Sequence, residues 1–334
     1  MFDWQIIGHS KITHLLESAI NNDALSHAYL FHGPKSIGVR TLIKKFILNL
    51  MCYNDDPTKP TIPCHECDHC RQIEKNIHPD IIWIKKEKDK KDITVEQIRE
   101  LQDKLAVHSF FKNYKIAVIE NADQMNLASA NALLKTLEEP TAKTIIILTS
   151  QHITQLPKTI LSRVQSIKLL PVPTKEIYDH LISQPTDREH ARHLANLAFG
   201  RPGRALTFLH YPPLWDAYLA QLKIFFELFK SSRVQKIKFA EKILASEETL
   251  VQKTEKLIPL LNLWQLILRD LILHKIDQND KIINTSASNS LTQIKNKHSL
   301  LNLINLQKFI RLTKIYLSKN VNPRLALENL LLKI

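Results

Sequence analysis

An apolar run, Ala28 to Phe31, leads into His32-Gly33-Pro34-Lys35-Ser36-Ile37-Gly38-Val39-Arg40-Thr41, and a helix-like run from Leu42 to Leu50 follows. Buried strand, glycine-bounded loop and helix is the context a phosphate-binding loop needs, because loop amides and the helix N-terminus both face the anion. Gly33 and Gly38 have the spacing of G-x-x-x-x-G-K-[ST]. The lysine that would reach the β- and γ-phosphates is Val39, and the hydroxyl that would hold Mg²⁺ is Arg40. The loop keeps its shape and loses its chemistry.

The chain has five glycines in 334 residues, far below the usual ~7%. A sequence this sparing should keep glycine where a Cβ is not tolerated. Gly33 and Gly38 bound the loop, and Gly203 sits in Arg201-Pro202-Gly203-Arg204; Gly8 and Gly200 are the others.

All four cysteines fall close together: Cys52, then Cys64, Cys67 and Cys70 at repeated C-x-x-C spacing. Thiolates at that spacing close a tetrahedral Zn²⁺ site from one tight turn, with Cys52 brought in as fourth ligand by the loop Asn54 to Pro63. Four unrelated thiols would leave the spacing unexplained, and His65 and His69 are possible substitute ligands. No hydrolytic residues surround the set, so the zinc reads as structural.

Ile81 to Ile84 and Lys115 to Ile119 read as strands. Between them, Ile93 to Val107 has a helical apolar spacing, with Thr94 and Gln97 as a capping box. In a nucleotide hydrolase the end of the second strand carries two acids, one for Mg²⁺ and one that activates water. Here the pair is Glu120 and Asn121, and an amide cannot accept water's proton. Leu127 to Leu137 is helical and stops at Glu138-Glu139-Pro140; Thr144 to Leu148 is a further strand, with Thr149 and Ser150 at its end. Arg163 lies just past a short helix, where a solvent-exposed side chain is the plain reading.

Pro171-Val172-Pro173 marks a domain boundary. Residues 174–208 read as a small helical unit, and from Tyr211 onward the pattern is helical, with a loop from Asn279 to Ser290. That last region has neither glycine nor cysteine, which suits packing or oligomerisation. With 44% hydrophobic residues there is enough apolar surface for two or three cores. The net charge of +13 suits an acidic partner such as nucleic acid, but lysine is abundant throughout, so charge alone decides nothing. Met1-Phe2-Asp3-Trp4 lacks a signal-peptide pattern, and Leu260 to Leu273 is too short and polar to span a bilayer, so a soluble cytoplasmic protein is expected.

The order of these motifs resembles the AAA+ ATPase module. Ser26-His27-Ala28-Tyr29-Leu30-Phe31-His32-Gly33-Pro34, the cysteine quartet, His78-Pro79-Asp80 and Ala130-Asn131-Ala132-Leu133-Leu134-Lys135-Thr136-Leu137-Glu138-Glu139-Pro140 resemble bacterial clamp-loader subunits of DNA polymerase III. So do Trp264 with Arg269-Asp270-Leu271, and Asn322-Pro323-Arg324-Leu325-Ala326-Leu327-Glu328. The resemblance covers the whole chain, most specifically residues 26–165. It implies an α/β AAA+ module over residues 1–170, a parallel sheet flanked by helices that carries the zinc module at 52–70. A helical lid over 171–208 and an all-α collar over 209–334 would follow. It also implies a ring of five with gamma/tau and delta subunits, acting on the sliding clamp and primer–template DNA, with no membrane partner.

In this family a Ser-Arg-Cys box supplies an arginine finger to ATP held by the neighbouring subunit; Ser162 and Arg163 match it and Val164 departs from the cysteine. Gly8, Gly33, Gly38, Arg40, Thr41, Glu120, Thr149 and Arg204 fall at nucleotide-site positions. With Val39 and Asn121 in place of the working groups, the expectation is a vestigial pocket with no intrinsic ATPase, in a subunit that acts as a stator. Two other readings stand beside it. One is an ATPase motor subunit in which Arg40 or Lys35 replaces the lysine. The other is a zinc-containing DNA-binding protein.

Overall fold

Alternate residues of the strands belong to different cores, as the two-residue period of a pleated strand requires. Tyr29, Phe31, Ile116, Val118, Ile145 and Ile147 lie in one buried cluster; Ala28, Leu30, Ala117, Ile119, Ile146 and Leu148 lie in another. A sheet apolar on both faces must be covered on both. The computed structural model describes residues 2–53, 61–87, 89–107, 109–110, 114–244, 249–284 and 287–334. Most of the loop Asn54 to Pro63, and part of the expected loop Asn279 to Ser290, lie outside them.

Two compact units are present, Met1–Ala191 with Ala198–Leu206, and Arg192–Leu197 with Thr207–Ile334. The elements of the first are α1 (Ser10–Asn21), β1 (Ala28–His32), α2 (Val39–Met51), α3 (Asp68–Glu74), β2 (Ile81–Ile84), α4 (Val95–Ala106), β3 (Lys115–Ile119), α5 (Leu127–Glu138), β4 (Thr144–Ser150), α6 (Lys158–Leu161), β5 (Gln165–Lys168) and α7 (Thr174–Ile182). Helices α8 (Arg188–Leu197) and α9 (Pro202–His210) each contribute to both units.

The five strands are parallel, in the order β2-β3-β4-β1-β5. Helices α1, α2 and α3 cover one face through Leu16, Leu42, Phe46 and Ile73, and α4, α5 and α6 cover the other through Ile98, Leu101, Leu133 and Ile160. The capping box forms as the sequence reads: Thr94 Oγ1 accepts from the Gln97 N–H and Gln97 Oε1 from the Thr94 N–H. The chain leaves β1 for the far edge of the sheet and returns strand by strand. A crevice therefore opens at the carboxyl ends of the strands, where open α/β sheets bind ligands.

The second unit is helical: α10 (Pro212–Leu228), α11 (Arg233–Ile243), α12 (Leu250–Lys275), α13 (Ser288–Lys297), α14 (Leu300–Ser318) and α15 (Pro323–Leu331). Trp264 of α12 is fully buried among Phe225, Phe239 and the leucines of these helices. Helix α12 extends beyond the apolar stretch Leu260 to Leu273 at both ends, continuing through Pro259 from a capping box at Thr249 and Gln252. It is the one described helix long and apolar enough to cross a membrane, yet half of that stretch is buried in the unit. The expected loop after it holds a helical turn at Asn279–Lys281, and α13 begins at Ser288.

Asp270 is buried and accepts from the N–H groups of Ile283 and Asn284 and from Asn284 Nδ2, at 3.2, 2.8 and 2.7 Å. Arg269 Nη1 donates to its other oxygen at 3.0 Å. Helix α14 is apolar on two sides. Leu303, Leu306, Ile310 and Leu317 are buried, while Leu301, Ile304, Leu312 and Ile315 are exposed along another stripe.

Candidate functional site

The loop between β1 and α2 folds as a phosphate-binding loop does. Gly38 caps α2 at φ +108°, a conformation that glycine adopts without strain. The Gly33 N–H donates to the Ser150 carbonyl at 3.2 Å, tying the loop to the end of β4. His9 Nε2 reaches the Ile37 carbonyl at 3.2 Å, and the Gly203 N–H donates to the Ser36 carbonyl at 3.0 Å. A Cβ on Gly203 would stand 2.9 Å from that same carbonyl oxygen.

These contacts frame a cavity of about 280 Å³ lined by the loop, Trp83, Glu120, Asn121, Thr149, Ser150 and Gln151. Val39, Arg40 and Thr41 line it from the first turn of α2, where N–H groups have no acceptor within the helix. Register brings in the rest. Ile84 pairs with Ile119, and the Glu120 N–H donates to the Ile84 carbonyl at 2.8 Å, so Trp83 and Glu120 meet at the end of β3. Thr149 Oγ1 accepts the Asn121 N–H at 2.8 Å, and Gln151 Nε2 donates to Asn121 Oδ1 at 3.2 Å.

Arg40 occupies the end of this cavity. Its Nε lies 3.2 Å from Glu120 Oε1 and its guanidinium carbon 5.3 Å from the centre of the Trp83 ring. No hydrogen-bond donor is aligned on that buried carboxylate oxygen among the described residues, so the contact is mainly Coulombic. A cationic side chain thus stands beside the carboxylate where a metal-binding loop presents a hydroxyl.

Of the residues expected at the nucleotide site, Gly33, Gly38, Arg40, Thr41, Glu120 and Thr149 line the cavity. Gly8 and Arg204 do not: Gly8 packs against Val172, and the Arg204 guanidinium lies 5.9 Å from the Phe199 ring centre. Arg163 is also elsewhere. It follows α6, and its Nη2 pairs with Glu138 Oε1 at 2.6 Å, while Nη1 donates to the Thr159 carbonyl and Ser162 Oγ at 3.0 and 3.2 Å. Trp83, His9 and Glu138 gave no local signal, since the contacts of each are made by residues distant in sequence.

The four cysteines converge, with Sγ atoms all within 4.8 Å of one another. A tetrahedron with Zn–S bonds of ~2.3 Å has sulfurs ~3.8 Å apart, so the set fits a metal with little adjustment. The N–H groups of Cys64, Cys67 and Cys70 donate to the sulfurs of Cys52, Cys64 and Cys67 at 3.2, 3.3 and 3.4 Å. Such bonds favour thiolates. Burial pushes the Cys52 thiol up to about 11 and raises Cys70 further. Burial also opposes ionisation of Cys64, but N–H donors from Glu66 and Cys67 and the neighbouring thiols bring it to about 7. Four cysteines this close can bind a metal such as zinc.

A parallel sheet in this order, with a glycine loop after β1 and polar residues ending β3 and β4, defines a P-loop module of the AAA+ type. Comparison with known proteins narrows this. The family described as DNA polymerase III, delta subunit, matches residues 8–173. The chain is 35% identical over 187 residues to the DNA polymerase III subunit delta-prime of Bacillus subtilis (strain 168), 56% of this chain and 55% of that one. It is 36% identical over 138 residues to delta-prime of Pseudomonas aeruginosa, 41% of each. It is 30% identical over 212 residues to subunit gamma of Buchnera aphidicola from Acyrthosiphon pisum, 62% of this chain and 57% of that one. These matches, carried mainly by residues 8–173, support a subunit of the delta-prime type. Its matches span about two-fifths to three-fifths of these relatives' lengths.

Proposed function

We propose that this chain is a non-hydrolysing, stator-like subunit of the bacterial clamp loader, a soluble cytoplasmic assembly that places the sliding clamp on primer–template DNA. Its partners are gamma/tau and delta subunits in a ring of five. The observation that carries the reading is the state of the pocket. The loop frame is intact, but Val39 stands at the lysine position and Arg40 faces Glu120 where the metal ligand belongs. Among the described lining residues, Asn121 stands beside Glu120 in place of a second acid. Positioning and charge stabilisation are nearly the whole of phosphoryl-transfer catalysis, so their loss leaves the fold without the reaction.

Arg163 supplies what the ring needs from this subunit. It lies outside the chain's own cavity and partly exposed, which supports action on ATP held next door, with Ser162 beside it. Residues 171–208 serve as the lid and 209–334 as the collar, where the exposed stripe of α14 supports burial against other subunits. Cys52, Cys64, Cys67 and Cys70 hold a structural zinc, which fixes Cys52 at the end of α2 to α3. Nucleotide in the chain's own pocket is not required.

The test is reconstitution of the loader with this chain and with Arg163→Ala. The variant should assemble normally and lower DNA-stimulated ATPase by about 10-fold or more; fingers in other systems contribute ~10³–10⁵. An unchanged rate rejects the role. Hydrolysis by the isolated chain, abolished by Glu120→Ala, would favour the motor reading instead.

A further inference from the structure

We infer that Glu138 is a positioning residue for the Arg163 guanidinium, an inference that rests on the finger role proposed above. Glu138 is the last residue of α5 and Arg163 follows α6, so the pair joins two elements that pack side by side through Leu133, Leu137 and Ile160. The guanidinium has five N–H donors in one rigid plane. Glu138 Oε1 takes one at 2.6 Å; the Thr159 carbonyl and Ser162 Oγ take others at 3.0 and 3.2 Å. All three acceptors belong to this chain. Three contacts on two nitrogens fix the plane of the fork and leave two N–H groups for an acceptor outside it.

The pair is poorly placed to stabilise the fold. The Arg163 and Glu138 side chains are 35% and 49% exposed, and exposed ion pairs contribute little to stability. Orientation is the remaining use. A long, flexible arginine loses side-chain entropy each time it is ordered against a phosphate, and a carboxylate that orders it beforehand removes that cost from the transition state. Glu138 therefore acts through Arg163 and touches no nucleotide itself.

The experiment uses the reconstituted loader with gamma/tau and delta subunits, following DNA-stimulated ATPase across ATP concentrations. Glu138→Ala should lower kcat about 10-fold with KM for ATP nearly unchanged, because ordering matters to the reacting complex. Glu138→Gln keeps a carbonyl acceptor at the same reach and should restore most of the rate. In the double variant with Arg163→Ala, Glu138→Ala should have no further effect. A native or faster rate for Glu138→Ala, with Arg163→Ala still slow, overturns this inference and leaves the finger standing. A native rate for Arg163→Ala overturns both.

Discussion

Arg40 Nε stands 3.2 Å from Glu120 Oε1, so the carboxylate at the end of β3 is matched by a cation that the chain itself provides. A fixed organic cation cannot coordinate water or bridge two phosphates as Mg²⁺ does. The pair therefore supports the proposal of a pocket that keeps its outline without its reaction.

Restoring the missing groups should restore binding. Val39→Lys with Arg40→Ser returns the lysine and the hydroxyl to a loop whose backbone is already formed. Calorimetry should find Mg·ATP bound at least about 10-fold more tightly than by the native chain. Equal affinity would mean that the frame is not competent.

Metal removal should loosen the first unit. The purified chain is expected to carry about one zinc, and Cys70→Ser should release it and lower Tm by about 5–10 °C. Protons compete with the metal for thiolate. Zinc retention should therefore weaken as pH falls, with the four thiolates together setting where. A colorimetric chelator assay across pH 5–8 would register the change, and no zinc at any pH would refute the site.

A methyl at position 203 should be felt at the loop. Gly203→Ala places a Cβ 2.9 Å from the Ser36 carbonyl, a backbone atom that cannot rotate away. The expected cost is about 1–3 kcal/mol, read from denaturant midpoints by probes in the first unit. A neutral result would show that the loop yields.

Asp270 anchors the turn that follows α12. Asp270→Ala would leave the N–H groups of Ile283 and Asn284 without their acceptor, while Arg269 keeps the Lys281 carbonyl. Leaving a buried donor unsatisfied costs about 1–3 kcal/mol. Thermal unfolding should show the loss in the helical unit, and Asp270→Asn should recover part of it.

Local pattern carried much of the fold. The first four strands, the capping box at Thr94 and the cysteine cluster are properties of short stretches, and local pattern reports them. Contacts made across the chain were not legible. Nothing beside Trp83 announces that parallel register will set it next to Arg40, and nothing near Glu138 points to Arg163. The continuity of α12 has a different source. Pro259 is a local stop signal, but burial of Leu257, Leu261 and Trp264 on one continuous face outweighs the hydrogen bond that proline forfeits.

The doubly apolar α14 bears on how the protein behaves at the bench. A stripe of leucine and isoleucine left in water favours any surface that hides it. Expressed without companions, the chain should bind phenyl resin, elute late and precipitate as ammonium sulfate rises. Co-expression with subunits that cover the stripe should cure all three.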